Sequence, residues 1–442
     1  MPGTRTSMFI ALTLAASLLG TAAIPVNAAS ATLSYPIVDT GQQRIFSNDR
    51  QLFFVPKPGD AYFGEDGQYR GAQPAYRDNG DGTVTDLVTG LMWQKAFTRD
   101  VAWSSAASTA KEARTGGYAD WRVPTIKELY SLILFTGSTG SSGPSTSQTP
   151  ADARPYLDSK VFDFEFPSAN RYIDAQYISS TAYLGTVMHG QAGFFGVNFA
   201  DGRIKGYPQR GRRDGSGWYL RLVRGNPQYG RNHFTDNGDG TVNDAATGLM
   251  WQKGEAPKAM KWKAALSYCS TLDAGGYSDW RLPNVKELQS LVDYGRAPEA
   301  ADPAKRGPAI DPLFTMRDLQ AWDWSSTTHF DGPGVGARAA YIAFGRATGY
   351  LRDPYTGERR LLDVHGAGAQ RSDPKDGDPN DPRWSGGFGP QGDVNRIENS
   401  VRCVRNIVPG TVALTTPDMS TEPARSMPRG RPDGRGPDRD MP

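Results

Sequence analysis

Four groups of side chains in this sequence have the types and spacing to do chemistry. The first is a basic stretch at 201–225, which sets Arg203, Lys205, Arg210, Arg212, Arg213, Arg221 and Arg224 against only Asp201 and Asp214. Guanidinium forks suit sulfate, phosphate and carboxylate, and Tyr207, Trp218 and Tyr219 interleave as stacking faces for sugars. The stretch reads either as an anion-binding surface, with Arg203, Lys205, Arg210, Arg212 and Arg213 as contacts, or as a solubilising loop whose charges diverge. The second group lies in DVHGAGAQRSDPKDGDPNDPRW at 363–384. There Asp363, His365, Arg371 and Trp384 are placed to face a ligand. Asp373, Asp376, Asp378 and Asp381 crowd oxygen ligands of the kind Ca²⁺ takes, although Asp, Pro and Gly are also what solvated turns are made of.

The third group is the pair of NGDG segments, at 79–82 and 237–240. A calcium loop of the EF-hand kind needs an acid two positions earlier and a Glu at the twelfth. Arg77 and Thr235 stand at the earlier position and no Glu follows, so these segments are expected to be structural turns. The fourth is the cysteine pair, Cys269 and Cys403, the only two in the chain. The four histidines, His189, His233, His329 and His365, are dispersed without metal-ligand spacing. Neither a G-x-S-x-G nor a phosphate-loop pattern occurs, so no catalytic residues are assigned.

These groups sit on a duplicated scaffold. DNGDGTVTDLVTGLMW at 78–93 recurs as DNGDGTVNDAATGLMW at 236–251, and GGYADWRVPTIKEL at 116–129 as GGYSDWRLPNVKEL at 275–288. Ser179-Ser180-Thr181 matches Ser325-Ser326-Thr327, and Arg221-Leu222-Val223-Arg224 matches Arg402-Cys403-Val404-Arg405. The chain therefore reads as two homologous copies, 76–225 and 229–408. The repeat is far longer than a solenoid unit, so each copy is expected to have its own core. In each, NGDG joins short alternating runs into a hairpin. A first helix follows, with Trp103, Ala106, Ala107 and Ala110, or Trp262, Ala265, Leu266 and Cys269, on one face. Thr125-x-x-Glu128 and Asn284-x-x-Glu287 open a second helix with a capping box. Strands and long loops complete a copy, so the fold class is α+β: two helices plus a loop-rich antiparallel sheet. Cys269 and Cys403 take inward positions that Ala110 and Leu222 fill in copy one. Their joint presence in one copy points to a disulfide.

Composition bounds the rest. The 442 residues are 38% hydrophobic and 11% aromatic, which excludes a disordered chain, and the net charge of +2 favours no nucleic acid partner. Arg5, the apolar run Met8–Leu19 and the small residues before Ala29 predict a secretory signal peptide over 1–28. No further stretch is long and apolar enough for a membrane span, so the mature protein is expected in the periplasm or outside the cell. Residues 29–75 read as a lead-in with at most one edge strand, and 409–442, rich in Pro, Gly, Arg and Asp, as a disordered tail. Six tryptophans form three repeat pairs and read as core anchors. Trp322, Trp324 and Trp384 are particular to copy two and are the better ligand platforms.

The repeated blocks DNGDGTVTDLVTGLMW and GGYADWRVPTIKEL resemble the Lcl C-terminal domain family, and the lead-in YPIVDTGQ at 35–42 resembles its two-copy members. The resemblance covers both copies. It implies a C-type-lectin-like fold similar to that of formylglycine-generating enzymes, and extracytoplasmic bacterial proteins as its setting. A collagen-like adhesin of this family binds sulfated glycosaminoglycans through this domain, although this chain lacks a collagen-like stalk. The expected function is thus non-catalytic binding of glycans or other anionic polymers at the bacterial envelope. An enzyme of the formylglycine-generating kind, or another using the insertion of copy two, and a passive structural protein are the alternatives.

Overall fold

The computed structural model describes residues 1, 3, 33–141, 148–168, 171–211, 216–332, 334–353, 356–382, 387 and 392–421. Nearly all of the expected signal peptide lies outside these residues, as do Arg212, Arg213 and Trp384. Among the described residues no helix is long and apolar enough to cross a membrane.

Both copies open as their sequence dictates. In copy one Tyr76–Asp78, Thr83–Asp86, Met92–Gln94 and the closing strand Val223–Arg224 form a four-stranded antiparallel sheet. In copy two Phe234–Asp236, Thr241–Asp244, Leu249–Gln252 and Val404–Asn406 repeat that order. The register is the same: Trp93 stands between Val84 and Val223, and Trp251 between Val242 and Val404. The NGDG segments are turns. Asp78 and Asp236 accept the Gly80 and Gly238 amides at 3.0 Å, and both glycines of each turn have positive φ, which a side chain would strain.

The helices are α1 (Ala106–Glu112), α2 (Ile126–Ser131), α3 (Trp262–Ser270) and α4 (Val285–Ser290). Capping boxes open α2 and α4: Thr125 and Asn284 take the amides of Glu128 and Glu287, whose carboxylates return to the cap amides. The mixed helix and sheet content makes the fold α+β.

A second sheet joins the copies. Trp322–Thr328, Arg338–Ala343 and Gln370–Pro374 from copy two are followed by Arg203–Pro208, Gln191–Asn198 and Gln176–Val187 from copy one, then Trp218–Leu220 and Thr98–Val101. The junction is the pair Gln370↔Ile204, and strand order inverts across it, as a local two-fold requires. Even the parallel contact Tyr177↔Tyr219 has its counterpart in Asp323↔Ser400.

The expectation of two separate cores is therefore corrected. One cluster takes Trp93, Leu129 and Ile133 from copy one together with Trp251, Leu288 and Val292 from copy two. The reason is helix length: α2 and α4 are six residues each and bury their apolar faces against one another and the shared sheet. Only the outer clusters are private. Ala106, Ala110, Trp121 and Leu222 pack in copy one, where Cys269, Trp262, Trp280 and Cys403 pack in copy two. The Cys269–Cys403 disulfide forms there, with Cα atoms 5.5 Å apart.

Two terminal segments are more ordered than their composition predicts. The lead-in buries Glu65 and Asp66 against Thr327 and Thr328 of copy two. Residues 409–421 of the expected disordered tail are tied down: Ala413–Leu414 pairs with Tyr69–Arg70, and the Asp418 amide donates to Gln43. Backbone pairing, which composition does not encode, supplies the order here.

Candidate functional site

The repeated W-R-x-P-x-x-K-E motif proves to be a joint. Arg122 holds both oxygens of Glu128 at 2.5 and 2.7 Å, and Arg281 those of Glu287 at 2.5 and 2.6 Å. The carboxylate that caps each helix is thus fixed by a fork from the preceding strand. The lysines cross between copies. Lys127 donates to the Ser290 carbonyl at the end of α4 (2.8 Å), and Lys286 to the Ser131 carbonyl at the end of α2 (2.8 Å). Burial pushes the Lys286 ammonium down to about 7, against the pull of Asp39, Asp86 and Asp66. Arg221 and Arg402 are fully buried and tie backbone carbonyls, Arg221 those of Gln94, Lys95 and Asp163, Arg402 those of Gln252, Lys253 and Thr315.

The anion-binding surface expected at 201–225 is corrected at Arg203 and Lys205. Arg203 is buried between Asp201 and Asp331, and Lys205 donates to Asp201 at 2.6 Å. Burial alone would raise the Asp201 carboxyl, and Lys205 and Arg203 more than reverse it. Burial holds Lys205 down to about 8. Arg224 pairs with Asp120 and lies 3.8 Å over the Tyr118 ring. Tyr207 and Trp218 are core residues. The strand Arg203–Pro208 lies within the shared sheet, so Arg203 and Lys205 face an interior and not solvent. Only Arg210 is exposed among the described members of this set.

In the insertion of copy two the structure brings some predicted residues together and separates others. His365 and Arg371 converge on the carboxylate of Asp393, His365 Nε2 lying 2.8 Å away. Burial and then Arg371 lower His365 to about 4, and its Nδ1 has no partner among the described residues. Asp363 stands apart, accepting from the Tyr183 hydroxyl at 2.8 Å and the Gly366 amide at 2.9 Å; burial raises it to about 6. The four aspartates do not form the expected calcium cluster. Asp373 is buried on the Arg396 and Ile397 amides and the Asn399 side chain. Asp376 pairs with Lys261, and Asp378 accepts the Asn380 amide. Among the described residues no three metal-ligating side chains gather. Trp322 and Trp324 are likewise fully buried, Trp322 stacked 4.5 Å from Tyr341.

The open feature is a cleft of about 500 Å³ where the copies meet. Thr181, Tyr229, Arg231, Asn232, Asp293 and Asp311 contribute to its walls. Arg231 is exposed and has no ion pair among the described residues. Such planar polar groups beside aromatic faces can hold a polar ligand by hydrogen bonds and stacking. None of these residues stood out in the sequence except Thr181, inside the repeated Ser-Ser-Thr. The recurrence of that tripeptide in both copies is the one signal that pointed here.

The structure thus defines an internally duplicated α+β protein with a cleft between its copies. Residues 82–224 and 240–359, together more than half of the chain, match the Lcl C-terminal domain, and the chain belongs to that family. No curated protein and no solved structure matches it.

Proposed function

We propose that this is a non-catalytic binding protein of the bacterial envelope, periplasmic or secreted, that holds a glycan or another anionic polymer. Its scaffold is read as C-type-lectin-like, two copies fused into a rigid frame. The cleft between them carries the proposal. Ligands are preferentially held in pre-formed clefts between packed modules, and among the described residues the Arg231 guanidinium has no carboxylate partner. The experiment is retention on immobilised heparin and on immobilised polyglutamate across a salt gradient. Arg231→Ala should elute earlier on at least one column, since exposed charge contacts are screened by salt. Elution unchanged on both would remove the cleft from the binding surface.

A second reading, an enzyme, is favoured by one observation: the buried His365–Asp393 contact with an unpartnered Nδ1. Formylglycine-generating chemistry is not the form it would take, because both cysteines are joined in the core disulfide. Loss of a measured turnover in Asp393→Asn would be needed to support this reading.

A further inference from the structure

The two copies exchange their leading arms. The arm leading into the hairpin of copy one, 33–75, reaches copy two, and the arm leading into the hairpin of copy two, 226–233, reaches copy one. Lys286 donates to Asp39 of the first arm at 3.3 Å, and Lys127 to Gly230 and Asn232 of the second at 3.1 and 2.9 Å. Both arms end alike: Ala75 accepts the Leu87 amide, and His233 the Ala245 amide. The first arm is much longer, and its extra length includes the turn Glu65-Asp66-Gly67.

That turn shows what this module accepts at one position. In copy two the Thr327 hydroxyl takes the Val285 amide at 2.9 Å and donates to the Asp66 carboxyl at 2.7 Å. Thr40 donates to the same oxygen at 2.8 Å. In copy one Thr181 takes the equivalent Ile126 amide at 3.0 Å. The short arm brings no acid to it, and among the described residues its hydroxyl proton has no acceptor. Thr181 instead lines the cleft, with Arg231 nearby.

We infer that the cleft of copy one receives the carboxylate of an aspartate in an acidic peptide turn of a partner protein, seated on Thr181 as Asp66 is seated on Thr327. This rests on the binding reading above and narrows it. Asp293 and Asp311 line the same cleft; each turns one oxygen to its own loop, on the Gly295 and Leu313 amides at 2.8 and 2.9 Å. The remaining carboxylate oxygens there can accept backbone N–H groups of a bound peptide turn. A second detail sets specificity. Thr328, which binds Glu65 at 2.7 Å, is replaced in copy one by Ala182, so the aspartate is required and the preceding glutamate is not.

The test uses a synthetic peptide with the sequence of residues 60–72, DAYFGEDGQYRGA, titrated into the full-length protein by fluorescence anisotropy. The peptide and its Glu65→Gln form should bind alike, and its Asp66→Asn form roughly tenfold or more weaker, as loss of a hydrogen bond to a charged group implies. Thr181→Val should weaken the protein by a similar factor, Thr181→Ser should keep binding, and Arg231→Ala, on the surface, should weaken it without a change in melting. Equal binding of the Asp and Asn peptides, or indifference to Thr181→Val, overturns the inference. If oligogalacturonate or a heparin fragment binds through Thr181 while no peptide does, the peptide inference falls and the binding reading stands. If none of these probes binds, both fall.

Discussion

Lys286 makes stability depend on pH in an unusual direction. Its ammonium is 3% exposed and donates to the carbonyls of Ser131, Ile133 and Asp39 at 2.8, 2.9 and 3.3 Å. Burial lowers it to about 7 from an ordinary 10.5, with Asp39, Asp86 and Asp66 opposing. Between those values the unfolded chain holds a proton that the folded chain has released, so stability rises with pH. Below about 7 both states are charged, and the gain is absent. The slope is about 1.4 kcal/mol per pH unit for one proton, or about 2 to 3 kcal/mol between pH 7.5 and 9.5. Lys286→Met removes the titration and leaves three carbonyls without their donor, a cost of about 1 to 3 kcal/mol each when unrelieved. At pH 6.5 that cost is offset by no longer burying a charge. Urea unfolding of both proteins at pH 6.5, 7.5, 8.5 and 9.5 reads the difference directly, because titrating groups not coupled to Lys286 cancel. The wild type should pull ahead steadily above pH 7.5. A difference that is flat, or that shrinks toward pH 9.5, would refute the reasoning that burial makes this lysine release its proton in the folded chain.

Three further outcomes follow from the paired construction. Cys269→Ala with Cys403→Leu installs the copy-one pair Ala110 and Leu222, keeping the packing while opening a loop spanning 134 residues. The unfolding free energy from urea titration should fall by up to about 5 kcal/mol in the loop-entropy model, and a much larger loss would mean that the larger Leu side chain is not tolerated in the copy-two core. Glu287→Gln should destabilise more than Glu128→Gln, by up to about 3 to 5 kcal/mol, since Arg281 is 5% exposed while Arg122 is 32% exposed on its side chain; equal melting shifts would contradict this. Replacing Arg210, Arg212 and Arg213 together by Ala separates the loop from the cleft: retention on heparin that drops only in this triple variant would return the anion site to the loop.

The duplicated motifs were legible because each local device is complete within a few residues. Thr125 and Glu128 cap a helix whatever surrounds them, and the NGDG turns need only their own Asp and Gly. The cysteine pair could be read because copy one supplied the comparison, Ala110 and Leu222. The basic stretch misled because its partners are distant: Asp331 and the carbonyls of Gln94 and Lys95 lie in other elements, and a charge count cannot see them. The four aspartates misled for the same reason, as Lys261 claims one, and the Arg396 and Ile397 amides with the Asn399 side chain claim another. Asp393, on which His365 and Arg371 converge, carried no pattern at all. The long reach of the lead-in was hidden because its contacts cross to the other copy.

What the two copies share is architecture. The Arg–Glu forks and the buried Arg221 and Arg402 each occur twice and brace their own copy, while the crossed lysines hold the halves in one body. In a dimer of identical chains every cleft would appear twice, and any change to one would change the other. Fusion removes that constraint. Here the longer arm seals the Thr327 side with Asp66, while the shorter arm leaves the Thr181 side open. Asp293 faces the open cleft where the opposite copy has Leu134 at the matching position. The disulfide is likewise confined to copy two, the half whose site the chain itself closes. Divergence has therefore concentrated in arm length, insertion and cleft wall, which is where a recognition surface can change without loosening the shared core.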